Sequence, residues 1–375
     1  MSAKKRVLLL YISVNSGHQR AALAIEKALR LLAPEAEILA VNSFNYTNPL
    51  VEKVINRTYL GVIKNKPEVW EYLYDNPKVF RSLGRLRDSI HKFNSGKLKI
   101  LLDEFKPDVI ACTQAFPCGM IADYKTSFGL KVPLIGVLTD CYPHSYWFFD
   151  SVDHYIVNSE AATKRLIEHG IPREKIKDYG IPIDPKFTEN VDDEVVRKKL
   201  GLNPGLPTVL IMGGNQGLGP LAELVNELNR ISCPLQLIVV AGSNKRLFDW
   251  LERKKRLLRF KMVVYGFTSE VTELMSVSTL IVTKPGGLTI SEALSKELPI
   301  IILNPIPGQE AKNTEYLTSE GAAVKADSAA DAALLTEMLL VNKSKLEHMR
   351  GNARRIAKPR SSTDIARLIL ECANS

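Results

Sequence analysis

Short, continuous apolar runs punctuate this chain at intervals. In the first half they are Val7–Ile12, Asp108–Thr113, Leu134–Leu138 and His154–Val157. In the second half they are Thr208–Met212, Leu235–Ala241, Lys261–Tyr265, Leu280–Val282 and Ile300–Leu303. A run this short without polar alternation suits a strand covered on both faces. Between the runs the apolar period changes. Over Gln19–Leu32 apolar residues fall at positions 21, 22, 25, 28, 29 and 32, the stripe of an amphipathic helix. Strands alternating with helices predict parallel sheets with helices on both faces. The pattern breaks over residues 180–207, where prolines, glycines and an acidic run mark a linker, so a domain boundary is expected near 183–206. The tail after about 358 reads as a helix that can pack back on the first half.

Composition narrows the class without changing this picture. The chain has 375 residues, enough for two domains, with 45% hydrophobic and 24% charged residues, so a folded chain is expected. No apolar run reaches the 18 residues of a spanning helix. The basic start followed by a short apolar run lacks a cleavage site and reads as a first strand rather than a leader. Five scattered cysteines without a CxxC pair argue against a disulfide framework or zinc site and fit a reducing compartment. The net charge of +9 is concentrated: residues 51–100 carry eleven Lys/Arg against five Asp/Glu, and residues 245–261 carry eight against two. Such patches suit an anionic surface, nucleic acid or lipid headgroups, or else solvated helix faces.

Four candidate sites follow strands, where ligands bind in open parallel sheets. Asn15-Ser16-Gly17-His18 precedes the Gln19–Leu32 stripe. Gly17 lets a ligand approach, and the helix N-terminus keeps His18 neutral, fit for a general base. The same residues also read as a Ser16 cap with an exposed histidine. Thr139-Asp140-Cys141-Tyr142-Pro143-His144 gathers an acid, a histidine and aromatics, either to orient a base and stack on a sugar or to cap a helix over an aromatic cluster. Gly213-Gly214-Asn215-Gln216-Gly217 reads as a phosphate-cradling loop or as a tight turn without a ligand; neither a Walker nor a clean GxGxxG pattern is present. Lys284-Pro285-Gly286-Gly287-Leu288-Thr289-Ile290-Ser291-Glu292 can hold an anion at a helix start, with Glu292 accepting ribose hydroxyls. Alternatively, Thr289 to Glu292 reads as a capping box. Downstream, residues 304–313 offer amides and a carboxylate to sugar hydroxyls, or form a polar turn that starts a helix. A fifth segment, residues 50–66, reads as a basic amphipathic helix, with Lys53, Arg57, Lys64 and Lys66 among apolar positions and Trp70 beyond. It suits a membrane interface or an ordinary packed face.

Taken in order, these residues resemble the GT-B glycolipid glycosyltransferases: the monogalactosyldiacylglycerol synthases and processive diacylglycerol glucosyltransferases, with the peptidoglycan N-acetylglucosaminyltransferase more distant. The matching pieces are Ser16-Gly17-His18-x-x-Ala21-Ala22, the Asn48–Tyr74 segment, Thr139-Asp140-x-x-x-His144-x-x-Trp147, Gly180-Ile-Pro-Ile, Gly213-Gly214, the Lys284–Glu292 unit and Pro307-Gly308-Gln309-Glu310-x-x-Asn313. The resemblance implies an α/β chain of two Rossmann-like, doubly wound domains facing across a cleft. Residues 1–185 would take the acceptor and the membrane, and residues 186–375 the UDP-sugar. It implies inverting transfer of glucose or galactose from a UDP-sugar to diacylglycerol, with no cofactor, no metal and no nucleic acid. The protein would be cytoplasmic and peripherally attached to the membrane.

By carry-over, His18 and Asp140 are candidates to activate the acceptor, with His144 in support. The Gly213-Gly214 and Gly286-Gly287 loops would hold the diphosphate with Lys284 stabilising it, and Asn215, Leu288 and Thr289 would also bind the donor. Glu292 would hold the ribose, Phe267 the uracil, and Gln309, Glu310 and Asn313 the sugar. Asn15, Gly17, Lys53, Arg57, Tyr59, Lys64, Lys66, Trp70 and Trp147 would serve acceptor or membrane. A soluble UDP-sugar enzyme, such as a 2-epimerase or a transferase to another acceptor, is the alternative. A nucleic-acid-binding protein is a more distant one, for which no binding motif is present.

Overall fold

The computed structural model describes residues 4–13, 16–43 and 98–374. Asn15, Lys53, Arg57, Tyr59, Lys64, Lys66 and Trp70, and with them the basic segment expected over 50–66, lie outside the described residues. The chain divides into two compact units. The first comprises residues 1–185, 307–309 and 360–375, and the second comprises 186–306 and 310–359.

The first unit holds a parallel six-stranded sheet. Its strands are β1 (Arg6–Tyr11), β2 (Glu37–Asn42), β3 (Val109–Cys112), β4 (Leu134–Val137), β5 (His154–Ile156) and β6 (Ile176–Lys177), in the order β2-β1-β3-β4-β5-β6. Alternate side chains of β1 enter two different cores. Val7 and Leu9 meet Ile25 and Leu29 of the helix Gly17–Leu32 and Ile365 and Ile369 of the helix Ser361–Cys372. Leu8 and Leu10 face the opposite cluster with Ile121, Leu134, Trp147 and Tyr155. Covering both faces explains why the inner strands carry no polar alternation. The last helix is part of this first unit and packs beside the helix Gly17–Leu32.

The second unit repeats the plan. Its strands are β7 (Thr208–Met212), β8 (Gln236–Val240), β9 (Met262–Tyr265), β10 (Leu280–Thr283), β11 (Ile300–Leu303) and β12 (Ala323–Ala326), all parallel, in the order β12-β11-β10-β7-β8-β9. One face buries Val209, Ile211, Val239, Val282 and Ile301 against Leu224, Leu228 and Leu339.

All nine expected strands are present. The strands that apolar runs did not announce are β2, β6 and β12, and each lies at the edge of its sheet. An edge strand is covered on fewer sides, so it needs no continuous apolar run. Thus β12 exposes Lys325, and β2 is buried only at its end.

Both sheets reverse strand order once near their middle. In the first the reversal lies between β1 and β3, and in the second between β7 and β10. At such a point neighbouring connections leave toward opposite faces and open a crevice beyond the carboxyl ends of the strands. The loops that follow β1, β7 and β10 are three of those singled out in the sequence.

Candidate active site

In the first unit the site is built from three adjacent strand ends. Beyond β1, Ser16 caps the helix Gly17–Leu32. Its Oγ accepts from the Gln19 N–H at 3.1 Å and donates toward the carbonyls of Ile12 and Ser13. The cap places His18 in the first turn, half-buried rather than exposed. Its Nδ1 lies 3.0 Å from the carbonyl oxygen of Thr113, beyond β3, and 3.0 Å from Oγ1 of Thr139, beyond β4. The Thr113 hydroxyl in turn donates to the His18 carbonyl at 2.9 Å. A carbonyl only accepts, so Nδ1 carries the proton and Nε2 is the open base nitrogen. Burial disfavours the charged ring and lowers the His18 pKa to about 4, with the Thr113 hydrogen bond acting partly against it. Gly17 is exposed, and a side chain there would meet nothing within 4 Å, so packing within the described residues does not require the glycine.

The loop after β4 brings Asp140 and His144 to the same end of the sheet. Asp140 is half-buried. The His144 Nδ1 accepts from the Tyr146 N–H at 3.3 Å, so His144 holds its proton on Nε2, the reverse of His18. Burial lowers its pKa to about 3, and the nearby His18 and Arg165 add to the shift. Arg165 sits over the Tyr142 ring at 4.5 Å and donates to its hydroxyl at 2.7 Å. Ser159 donates to the Cys141 carbonyl at 2.6 Å and pins the loop to the next helix. Trp147 departs from expectation. It is 4% exposed, within the core beside Leu134 and Tyr155, so it supports the loop and presents no face to an acceptor or a membrane.

In the second unit two glycine loops meet at the β7/β10 reversal. A Cβ on Gly213 would lie 2.4 Å from the Leu218 carbonyl oxygen, so the loop closes on itself only with glycine there. Gly214 has φ +67°, and a Cβ on it would lie 2.9 Å from Cε of Lys284. A Cβ on Gly286 would lie 3.6 Å from Nζ of Lys284 and 3.8 Å from Oε1 of Glu310. Lys284 therefore stands beside both loops, ion-paired with the buried Glu310. The other Glu310 oxygen accepts from the Ile306 N–H at 2.9 Å, so this carboxylate, expected on the sugar, is engaged within the protein. Asn313, fully buried, donates to the Pro285 carbonyl at 3.0 Å and fixes the shape of the loop. Asn215 accepts from the Ser243 N–H through its carbonyl at 2.8 Å, joining the loops after β7 and β8.

The helix after β10 starts at Gly287, with Gly286 as its cap residue and no side-chain cap. The capping-box reading of Thr289 and Glu292 therefore fails: Thr289 is already inside the helix, and Glu292 lies in its second turn, 1% exposed. The backbone N–H groups of Gly287, Leu288 and Thr289 have no acceptor within the helix and face its open end. Gln309 opens the helix Gln309–Ser319, and Phe267, beyond β9, is 70% exposed. Thr113 and Gly242 were missed in the sequence. Thr113 ends an expected strand and carries no motif. A Cβ on Gly242 would lie 2.3 Å from the Asn215 carbonyl oxygen, a contact between loops that spacing does not encode.

The described residues contain no helix long and apolar enough to cross a membrane, and the five cysteines are free thiols. Residues 18–183 match the monogalactosyldiacylglycerol synthase family, and residues 208–366 match the C-terminal domain of glycosyltransferase family 28. The processive diacylglycerol β-glucosyltransferase of Bacillus mycoides (strain KBAB4) is 30% identical over 373 residues, 99% of this chain and 94% of that protein. That of Bacillus thuringiensis (strain Al Hakam) is 29% identical over 374 residues, 99% and 95% of the two chains. Among solved structures, Acinetobacter baumannii MurG aligns with a TM-score of 0.64 at 14% identity, covering 98% of this chain and 99% of that one. The UDP complex of Staphylococcus aureus MnaA aligns with a TM-score of 0.63 at 16% identity, covering 99% and 97%. At these identities the likeness shows the fold, two Rossmann-like domains of the GT-B kind.

Proposed function

The chain belongs to the glycolipid glycosyltransferase family of the monogalactosyldiacylglycerol synthases and processive diacylglycerol glucosyltransferases, and we propose that it moves glucose or galactose from a UDP-sugar to diacylglycerol at a membrane surface. The observation that carries this reading is the meeting of the Gly213-Gly214 and Gly286-Gly287 loops at one sheet reversal, with Lys284 beside both. Glycines admit a diphosphate close to the backbone, and helix N–H groups and a lysine offer it positive charge. In this reading the Glu292 carboxylate takes the ribose hydroxyls and Phe267 covers the uracil. Gln309 bonds the sugar, while Glu310 and Asn313 act mainly by holding Lys284 and the Pro285 loop in place.

The chemistry is a single displacement with inversion. The acceptor hydroxyl oxygen bonds to the anomeric carbon as the bond from that carbon to the diphosphate oxygen breaks. The hydroxyl proton passes to Nε2 of His18, and UDP departs with the bonding electron pair. A neutral imidazole with Nδ1 already protonated is ready for that proton at neutral pH. The loop after β4 brings Asp140 to the same end of the sheet, and His144 lies near His18, where in this reading it supports acceptor activation. The basic residues of 51–100 supply attraction to anionic headgroups. The reaction proceeds without a metal ion in this reading, with Lys284 and the helix N–H groups holding the leaving charge.

The test is a product assay with the purified full-length chain in mixed vesicles of diacylglycerol and anionic phospholipid, with EDTA present. UDP-glucose, UDP-galactose and UDP-N-acetylglucosamine are supplied in turn, and lipids are read by mass. A hexosyl diacylglycerol from one of the first two donors is expected. No lipid product from any donor overturns the proposal.

A further inference from the structure

We propose that Thr139 and the Thr113 carbonyl clamp His18 in one tautomer, with Thr139 a positioning residue that acts through the histidine. This deepens the reading of His18 as the acceptor base and rests on it. The two oxygens approach the same nitrogen, Nδ1, at 3.0 Å each. The Thr113 oxygen belongs to a carbonyl and can only accept, so the shared hydrogen resides on Nδ1. The Thr139 oxygen then serves as its second acceptor, and the threonine hydroxyl proton points away. Both partners are 8% exposed or less, so little water competes for the Nδ1 hydrogen from their side.

The sheet order makes the clamp possible. β1, β3 and β4 are neighbours, so the residues beyond their ends converge although 95 and 121 positions separate Thr113 and Thr139 from His18. Thr113 is itself tied to the helix start through its hydroxyl on the His18 carbonyl, so the carbonyl cannot drift from the ring.

Two consequences follow. A free imidazole exchanges its proton between the two nitrogens, and only the Nδ1–H form leaves Nε2 open as a base. The clamp removes the unproductive form and opposes the ring flip that would put Cδ2 where Nδ1 lies. Secondly, when Nε2 takes the acceptor proton the ring becomes a cation, and its Nδ1–H bond to two oxygens strengthens. The partners are uncharged, so they stabilise the cation less than a carboxylate would. Burial works against the charge in any case.

The test uses the full-length chain labelled with 15N at its histidines, with the His18 signals assigned by comparison with His18→Gln. In the wild type near neutral pH, His18 is expected to show a protonated Nδ1 and an unprotonated Nε2. Thr139→Val keeps the shape and removes the acceptor. It is expected to admit the other tautomer and to lower kcat about fivefold to tenfold, with KM for donor and acceptor changed less than about twofold. Thr139→Ser restores the oxygen and is expected to restore both signals and rate. A wild-type His18 protonated on Nε2 overturns the clamp, and so does a Thr139→Val chain with unchanged tautomer and kcat. Should the Val variant fail to fold, the wild-type spectrum and the Ser variant still decide. If the chain transfers no sugar, the spectrum tests the clamp by itself, while the product assay overturns the broader reading.

Discussion

The two units share a sheet plan but make their sites from different materials. In the first, a side chain does the work: one imidazole is held by the Thr113 carbonyl and the Thr139 hydroxyl at three strand ends. In the second, the backbone does it: a methyl group at Gly213 would collide with Leu218 of its own loop, and Gly214 takes a left-handed φ beside the Lys284 side chain. The difference follows from the tasks proposed for them. Moving a proton requires that one nitrogen of one ring be in a fixed state, and directed hydrogen bonds to a fixed carbonyl and a hydroxyl achieve that. Holding a diphosphate requires several N–H groups around a bulky anion, and side chains there would be in the way.

The comparison can be broken most strongly at its two centres. His18→Ala removes the base and is expected to lower kcat by about 10²- to 10⁴-fold, while UDP affinity, read by calorimetry, stays unchanged. A large loss of UDP affinity in that variant would mean the two tasks are not divided as stated. Gly213→Ala should do the reverse. Its Cβ would lie 2.4 Å from the Leu218 carbonyl oxygen, so the loop must shift, and UDP affinity is expected to fall about tenfold or more. At saturating donor kcat should change little. An alanine variant that binds UDP as tightly as the wild type would show that the loop's closeness is not what holds the donor.

The smallest expected effect is on stability, and it sharpens the contrast because only the first unit carries these histidines. His18 and His144 are depressed in the folded chain, to about 4 and about 3, from an ordinary value of 6.5. Between those values and 6.5 the unfolded chain binds more protons than the folded one, so stability rises with pH in that window. The cost is absent above about pH 6.5 and grows as pH falls toward 4. Denaturant midpoints of the first unit, followed at pH 7.5, 6 and 5, should therefore decline, and less steeply in His18→Gln. Parallel declines in the two proteins would mean that His18 titrates alike folded and unfolded.

Much of this was legible from local pattern. The inner strands announced themselves because burial on both faces leaves no room for polar residues, and Ser16 announced a helix start because its oxygen satisfies a free N–H. Other features were ambiguous or hidden. Thr289 to Glu292 has the spacing of a capping box, yet the helix begins at Gly287, and nothing in the local residues chooses between the two starts. Trp147 reads equally well as an interfacial aromatic or a core residue until the packing around Tyr155 is known. Lys284 and Glu310 each look free to meet a ligand, and only the fold pairs them.

The sequence by itself determined which segments become strands, which loops follow their carboxyl ends, and that glycines and a histidine stand in those loops. These depend on neighbours within a few residues. Only the tertiary structure decided that β1 lies beside β3 and β7 beside β10, which turns ordinary strand-to-helix loops into paired walls of a crevice. It also decided which nitrogen of His18 carries the proton. Parallel neighbours are joined by crossovers tens of residues long, so their order is set by how whole layers pack, and a hydrogen bond spanning 121 positions leaves no trace in local pattern.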